Sequence, residues 1–287
     1  MPGAGRPRRR RSLEHRPILR NVLMYALSVG LLVALWTLAS VLIEVVRGRA
    51  YLPNPIVALS EVVRLGPMLF RHFWISAWRL VLAILIAFFA GYPLGLLIGH
   101  ERKLDQLISP MIYLVYPIPQ VAFVLLLFIV FGIGEPVKVA IVAIALFFQL
   151  LVSARGAAKL IEQEHVTSVL SAGGSRWQIY RHVVLPATLP PILTSLRVSV
   201  GLGMAFLYIA ETSGPARGGL GVYVKETMVY SPPPAFAGIL AMAVLGSCLY
   251  LIIEIIERLA CRWKYVGRNA LLVAAERALQ RWRSNRS

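Results

Sequence analysis

The stretch TSVLSAGGSRWQIYRHVVLPATLPP, residues 167–191, is a polar and basic interruption in a chain that otherwise reads as apolar helix. Its Gly173-Gly174 pair supplies a turn that residues with a Cβ resist. Ser175 is then a candidate N-cap, its hydroxyl placed to accept from the free N–H groups of a short helix over 176–184. On that helix Trp177 and Tyr180 stand three apart and Arg181 four from Trp177, so the three share a face. Arg176, Ile179 and His182 complete the turns, and Leu185-Pro186 closes the segment. Aromatic and Arg side chains of this kind dominate protein interfaces, and the same Trp and Tyr also anchor helices at a lipid surface. The loop is read as the handle by which a soluble partner moves the helices on either side of it.

Those flanking helices follow from composition. The chain has 287 residues, of which 58% are hydrophobic and 15% charged, and its mean hydropathy is +0.70. A soluble domain of this length cannot bury that excess, so an all-α polytopic membrane protein is expected. Spanning needs about 20 mostly apolar residues, and six stretches qualify: 21–46, 74–99, 107–133, 137–153, 192–210 and 236–257. Pro117 and Pro119 split the third, and they bend or break it by removing donors and restricting the residues before them. Carbonyls near 114–116 are thereby freed, which is tolerated at membrane depth only inside protein or beside a wet cavity. Tyr116, Pro117, Pro119 and Gln120 are therefore candidates for a lining of a translocation path, with a kink buried between helices as the alternative. In the second span Gly91, Gly95 and Gly99 recur every four residues, a spacing that permits close helix approach.

The formal net charge of +17 suggests nucleic acid, but its distribution argues against that. With six spans and the N-terminus inside, 21 of the Lys and Arg residues fall on the inner side and 7 on the outer. This is the asymmetry of a positive-inside topology, and it assigns the basic tails 1–20 and 259–287 to the cytoplasm and anionic lipid. The membrane region is then 21–258, with its cytoplasmic loop at 154–191. The first apolar run is about 25 residues, too long for the 7–15 of a cleavable signal. Two cysteines, Cys248 and Cys261, and five scattered histidines show no disulfide framework and no metal-ligand spacing. No G-x-x-x-x-G-K-[ST] occurs, so the chain holds no phosphate-cradling loop and no cofactor of its own, and any ATP and Mg must be bound by another polypeptide.

With the loop placed before the fifth of six spans, the chain resembles the membrane subunits of binding-protein-dependent ABC importers of the type I fold. Their loop reads E-A-A, three residues, G, nine residues, I-x-L-P. Here Gly173, Val183 and Leu185-Pro186 keep that spacing, while Thr167-Ser168-Val169 stands for Glu-Ala-Ala. Further segments resemble the nitrate/sulfonate/taurine branch: Ser76 with Arg79-Leu80-Val81, Gly91 to Gly99, Pro117-Ile118-Pro119, Phe131 to Glu135, Leu196-Arg197, Ala210-Glu211-Thr212 and Gly219-Leu220-Gly221. The resemblance implies a bacterial inner-membrane permease, both termini cytoplasmic, working as two copies with an ATPase dimer and an extracytoplasmic solute-binding protein. It implies that the loop docks on the ATPase, and it suggests a sulfonate, taurine or nitrate-like solute.

Charges inside spans default to functional hypotheses. Arg79 stands five residues inside the second span, about 7.5 Å, and snorkelling to the interface accounts for it. Arg197 and Glu211, toward opposite ends of the fifth span, are further candidates for the path; Glu254 and Arg258 read as a helix-end pair. The competing class, a stand-alone carrier or channel, places acids or His mid-span, and none is found there.

Overall fold

The computed structural model describes residues 16–215 and 217–264, with side chains from Leu23 onward; most of both basic tails lies outside these residues. Every element among them is helical. α1 (Arg16–Arg47) is a mostly apolar run whose one proline, Pro17, stands at its second position. It meets the rest chiefly where Trp36 Nε1 donates to Pro53 O at 3.0 Å and Ser40 Oγ to Leu52 O at 2.7 Å. The extended residues before Pro55 end at Asn54, whose Oδ1 accepts from Ile56 N–H at 3.0 Å and starts α2 (Pro55–Arg64), as an Asn cap with Pro at the first position should.

α3 (Gly66–His100) and α6 (Glu135–Lys159) form the spine. Gly91, Gly95 and Gly99 lie on Phe147, Leu151 and Arg155, and a Cβ at Gly95 would stand 2.5 Å from Leu151 O. The glycine stripe is thus a backbone-to-backbone seam. Arg79 meets Glu135, also 56 residues on, so the offset is constant and the two helices run parallel. Parallel neighbours require the intervening chain to cross back. That crossing is made by α4 (Arg102–Val115), a 3₁₀ turn at Gln120–Phe123 and α5 (Val124–Phe131), bent by 84° at the two prolines. Counted as one span beside α1, α3, α6 and the two long helices below, it brings the candidate membrane crossings among the described residues to six by length and composition.

After α6 come the short α7 (Gln163–Ser171) and α8 (Arg176–Ile179), then α9 (Leu185–Thr212), α10 (Leu220–Tyr230) and α11 (Pro232–Ala260). The short helix expected over 176–184 is not separate: α8 runs through a π turn at Tyr180–Val184 into α9, one continuous helix from Arg176 to Thr212. Pro186 has no N–H to return to the preceding turn and its ring crowds the carbonyl there. The helix widens instead, Leu185 N–H reaching back to Tyr180 O. α9 is antiparallel to α3, with Tyr92 hydroxyl 3.1 Å from Thr188 Oγ1 at one end and Ser76 on Glu211 at the other. Gly203 lets Leu80 and Leu146 meet over α9, and Leu80, Ala83, Val142, Leu146, Leu150 and Leu207 are fully buried there or within 2% of it.

Candidate functional site

The loop end is built on helix caps. Gly173 adopts φ +79°, its N–H bonds Leu170 O and that of Gly174 bonds Val169 O, both at 2.9 Å. This pair of bonds is the Schellman stop for α7. A Cβ on Gly174 would stand 2.5 Å from Val169 Cγ1, so the second glycine is needed for contact rather than for φ. Ser175 starts α8 as expected and forms a full capping box with Gln178. α7 has no buried residue. Arg176, Trp177, Arg181 and His182 are exposed, Trp177 to 69%. The expected shared face divides here: Ile179 is buried, and Tyr180 stacks edge-on to His100 at 5.0 Å with its hydroxyl 3.5 Å from Glu101. Tyr180 therefore ties the loop to the end of α3, and Leu185 and Pro186 continue into α9.

At the break, Tyr116, Pro117 and Pro119 are exposed and Gln120 half-buried. Val115 O, one of the carbonyls expected to be freed, accepts from Ile118 N–H at 3.0 Å, and Tyr116 hydroxyl donates to Gln149 Oε1 on α6 at 3.1 Å. Nearer the loop, α4 is clamped to α6. Arg155, 8% exposed, donates Nε to Asp105 Oδ1 and Nη2 to Ser109 Oγ, each at 2.6 Å, and Lys159 Nζ donates to Asp105 Oδ2 at 2.7 Å.

At the opposite end, Arg79 does not snorkel. It is 1% exposed and makes a two-pronged pair with Glu135, Nε to Oε2 at 2.6 Å and Nη2 to Oε1 at 2.7 Å. Its Nη1 donates to Glu211 Oε1 at 2.7 Å and to Gly218 O at 2.8 Å. The reason is helix length. α3 begins at Gly66, eight residues before the expected start of the span, which sets Arg79 about 20 Å along it at about 1.5 Å per residue. Glu211, 1% exposed, also accepts from Ser76 Oγ at 2.7 Å and Gly221 N–H at 2.6 Å, while Ser76 Oγ accepts from Leu220 N–H at 2.7 Å. These last contacts fill orphan donors at the start of α10. Lys138, 1% exposed, donates to Glu135 at 3.1 Å, leaving two cations against two carboxylates. Ser76, Glu135 and Lys138 were not singled out as site residues from the sequence. The signal was present: four of the quoted motif segments, at 76–81, 131–135, 210–212 and 219–221, are the ones the structure gathers at one point.

The six candidate path residues thus fall in three places. Four lie at the break, Glu211 is inside the buried network, and Arg197 stands on α9 facing α11, its guanidinium 5.1 Å from the Tyr250 ring. No cluster of three or more His, Cys, Asp or Glu with metal-holding geometry occurs among the described residues.

Residues 91–260 match the family described as binding-protein-dependent transport system inner membrane component. The taurine transport system permease protein TauC of Escherichia coli is 32% identical over 259 residues, covering 86% of this chain and 92% of that protein. A putative aliphatic sulfonates transport permease protein, SsuC of Bacillus subtilis, is 29% identical over 223 residues, 74% of this chain and 78% of its own. Among solved structures, a chain of the MetNI methionine ABC transporter in an inward-facing conformation overlays with a TM-score of 0.58. It shares 18% identity and covers 68% of this chain and 97% of its own, a likeness of fold.

Proposed function

Because this chain belongs to the binding-protein-dependent transport inner-membrane components, the permease subunits of ABC importers, we propose that α7 and α8 are the surface a cytoplasmic ATPase grips and that two copies enclose one path. The observation that carries this is the helix running unbroken from Arg176 to Thr212. Its first turn is exposed at Trp177 and its last turn holds Glu211 in the network at the far end. A displacement applied at the loop therefore travels the length of the bundle along one rigid element. Ile179 and Tyr180 anchor the near end in the core and on α3, so α3 and α6 follow. Coupling needs a partner that contacts the two arrangements differently, and ATP with Mg in that partner supplies the driving force.

The charge asymmetry supports a cytoplasmic loop end and both termini inside. A binding protein then delivers solute at the end formed by α2, α10 and the start of α11. The names of the relatives support a small organic sulfonate or similar anion as the solute. The carrier reading is less favoured, since Glu211 and Glu257, the fully buried acids among the described residues, are both ion-paired. The test is association and uptake by the reconstituted complex with Trp177→Ala and Gly173→Val. Truncating an interface Trp costs about 2 kcal/mol or more, roughly a 30-fold weaker hold on the ATPase, with insertion unchanged. Full association and uptake in both variants would sink the assignment.

A further inference from the structure

Among the described residues three arginines sit within the helical bundle, and two of them are multiply hydrogen-bonded. Arg79 makes four hydrogen bonds and Arg155 three. Arg197 is different. Its nearest carboxylates are Glu254 at 3.7 Å and Glu257 at 3.8 Å, beyond hydrogen-bonding distance. Its Nε is buried and has no hydrogen-bond partner among the described residues. The two glutamates are already matched: Glu254 pairs with Arg258, and Glu257 with Lys264 at 2.6 Å. Arg197 therefore meets these acids only at ion-pair distance, and its guanidinium donates no hydrogen bond among the described residues.

That guanidinium stands at the foot of a groove of about 1140 Å³ between α9 and α11. The walls above it are apolar and adaptable, with Met204, Tyr208, Met242, Gly246 and Tyr250 among them. From Arg197 to Tyr208 the groove follows α9 for about 16 Å at about 1.5 Å per residue. A guanidinium is shaped to receive two oxygens of a planar or tetrahedral oxoanion, and an apolar trough beside it suits a short organic body.

We infer that Arg197 is the oxoanion-binding residue of the translocation groove, receiving the single negative charge of a small organic sulfonate whose carbon body lies against Met204, Met242 and Tyr250. This rests on the permease reading above. The same chemistry is offered by the phosphate of an anionic lipid, and the test separates the two sources.

The probe is a methanethiosulfonate bearing an ethylsulfonate, itself a small organic sulfonate, compared with its trimethylammonium counterpart. The target is Ser247→Cys, exposed in the groove on α11, with the native exposed thiol removed by Cys248→Ala. The full chain is reconstituted in phosphatidylcholine. The expected result is modification about tenfold faster by the anion than by the cation, relative to their rates on a free thiol, as one nearby fixed charge dictates at intermediate dielectric. Ethanesulfonate at saturating concentration should protect the thiol, Arg197→Lys should keep the preference, and Arg197→Gln should reduce it to near unity. A preference unchanged in Arg197→Gln, a faster cation, or a thiol inert to both reagents overturns the proposal. So does protection that arises on adding phosphatidylglycerol and not ethanesulfonate, which would assign the site to lipid. None of these readouts uses ATP or a partner, so loss of ATP-driven uptake would count against the permease reading separately.

Discussion

Replacing Glu211 by Ala is the sharpest test of the network at the far end. The side chain is fully buried and accepts from Ser76, Arg79 and Gly221. Removing one partner of a buried pair strands the other and costs about 3–5 kcal/mol. Arg79 keeps Glu135 and Gly218 O, which sets the expectation at the low end, about 3 kcal/mol. For a chain of this size about 2–4 °C of midpoint accompanies each kcal/mol, so unfolding in neutral detergent should begin some 6–12 °C lower. Glu135 supplies the control. It faces the same guanidinium with two hydrogen bonds but is 57% exposed, and water can replace it, so Glu135→Ala should cost about 1 kcal/mol, as for a solvated pair. The double variant Arg79→Met with Glu211→Met removes both charges at similar volume and should be more stable than either single change, a coupling of about 2 kcal/mol. If Glu211→Ala unfolds within 2 °C of the parent by a light-scattering or thiol-dye assay (about 1 kcal/mol or less), or if the two single losses simply add, the network does not hold these helices together.

The remaining expectations are local. Gly95→Val drives a Cβ to within 2.5 Å of Leu151 O and 2.6 Å of Ala154 Cβ; overpacking of this kind costs about 3 kcal/mol or more, and the yield of monodisperse protein on size exclusion should collapse, whereas Gly156→Ala, with nothing within 4 Å, should match the parent. Gly219→Ala meets both a φ of +123° and Arg79 Nη1 at 2.5 Å, so it should lower the unfolding midpoint at least as far as Glu211→Ala. Ser175→Ala removes one half of the capping box and should cost about 1 kcal/mol, read as faster proteolysis of the α7–α8 connection with the core fragments intact.

Much of this architecture could be read from local sequence rules, because those rules concern neighbours. Pro117 and Pro119 announced the break, the four-residue glycine spacing announced the seam, and Gly173 with Ser175 announced a stop and a start. The errors came where distance along the chain mattered. Arg79 was assigned to the interface because the span was started at Trp74, just after Arg71 and His72. α3 instead runs through those two residues and begins eight residues earlier, at Gly66. Its two carboxylate partners lie 56 and 132 residues away, and no periodicity encodes such a meeting. Tyr180 was placed on the exposed face with Trp177 because their spacing reports only helical phase, whereas its contacts with His100 and Glu101 come from a helix end about 80 residues away.

The placement of the polar ties also says where the molecule is built to move. α3, α6 and α9 are joined at the far end by the fully paired Arg79 network, and α4 is held to α6 near the loop by Arg155 and Asp105. Over its loop-side part the α3–α6 seam sets Gly91, Gly95 and Gly99 against the α6 backbone and the Cβ atoms of Leu150, Ala154 and Ala158, which leaves little room to slide. The contact between α9 and α11 is of another kind. Its Arg197 reaches its acids only at 3.7–3.8 Å, Thr194 Oγ1 donates to Glu257 Oε1 at 3.0 Å nearer the loop, and a groove of about 1140 Å³ lined by flexible methionines runs between the two helices. Loosely bonded interfaces open at lower free energy than close-packed ones. A push on the loop should therefore carry α3, α6 and α9 as one block and be absorbed across the α9–α11 groove. Crosslinking α9 to α11 through cysteines at Gly201 and Ser247 should then arrest uptake while leaving ATPase docking intact. A crosslinked complex that still transports at the parent rate would place the moving boundary elsewhere.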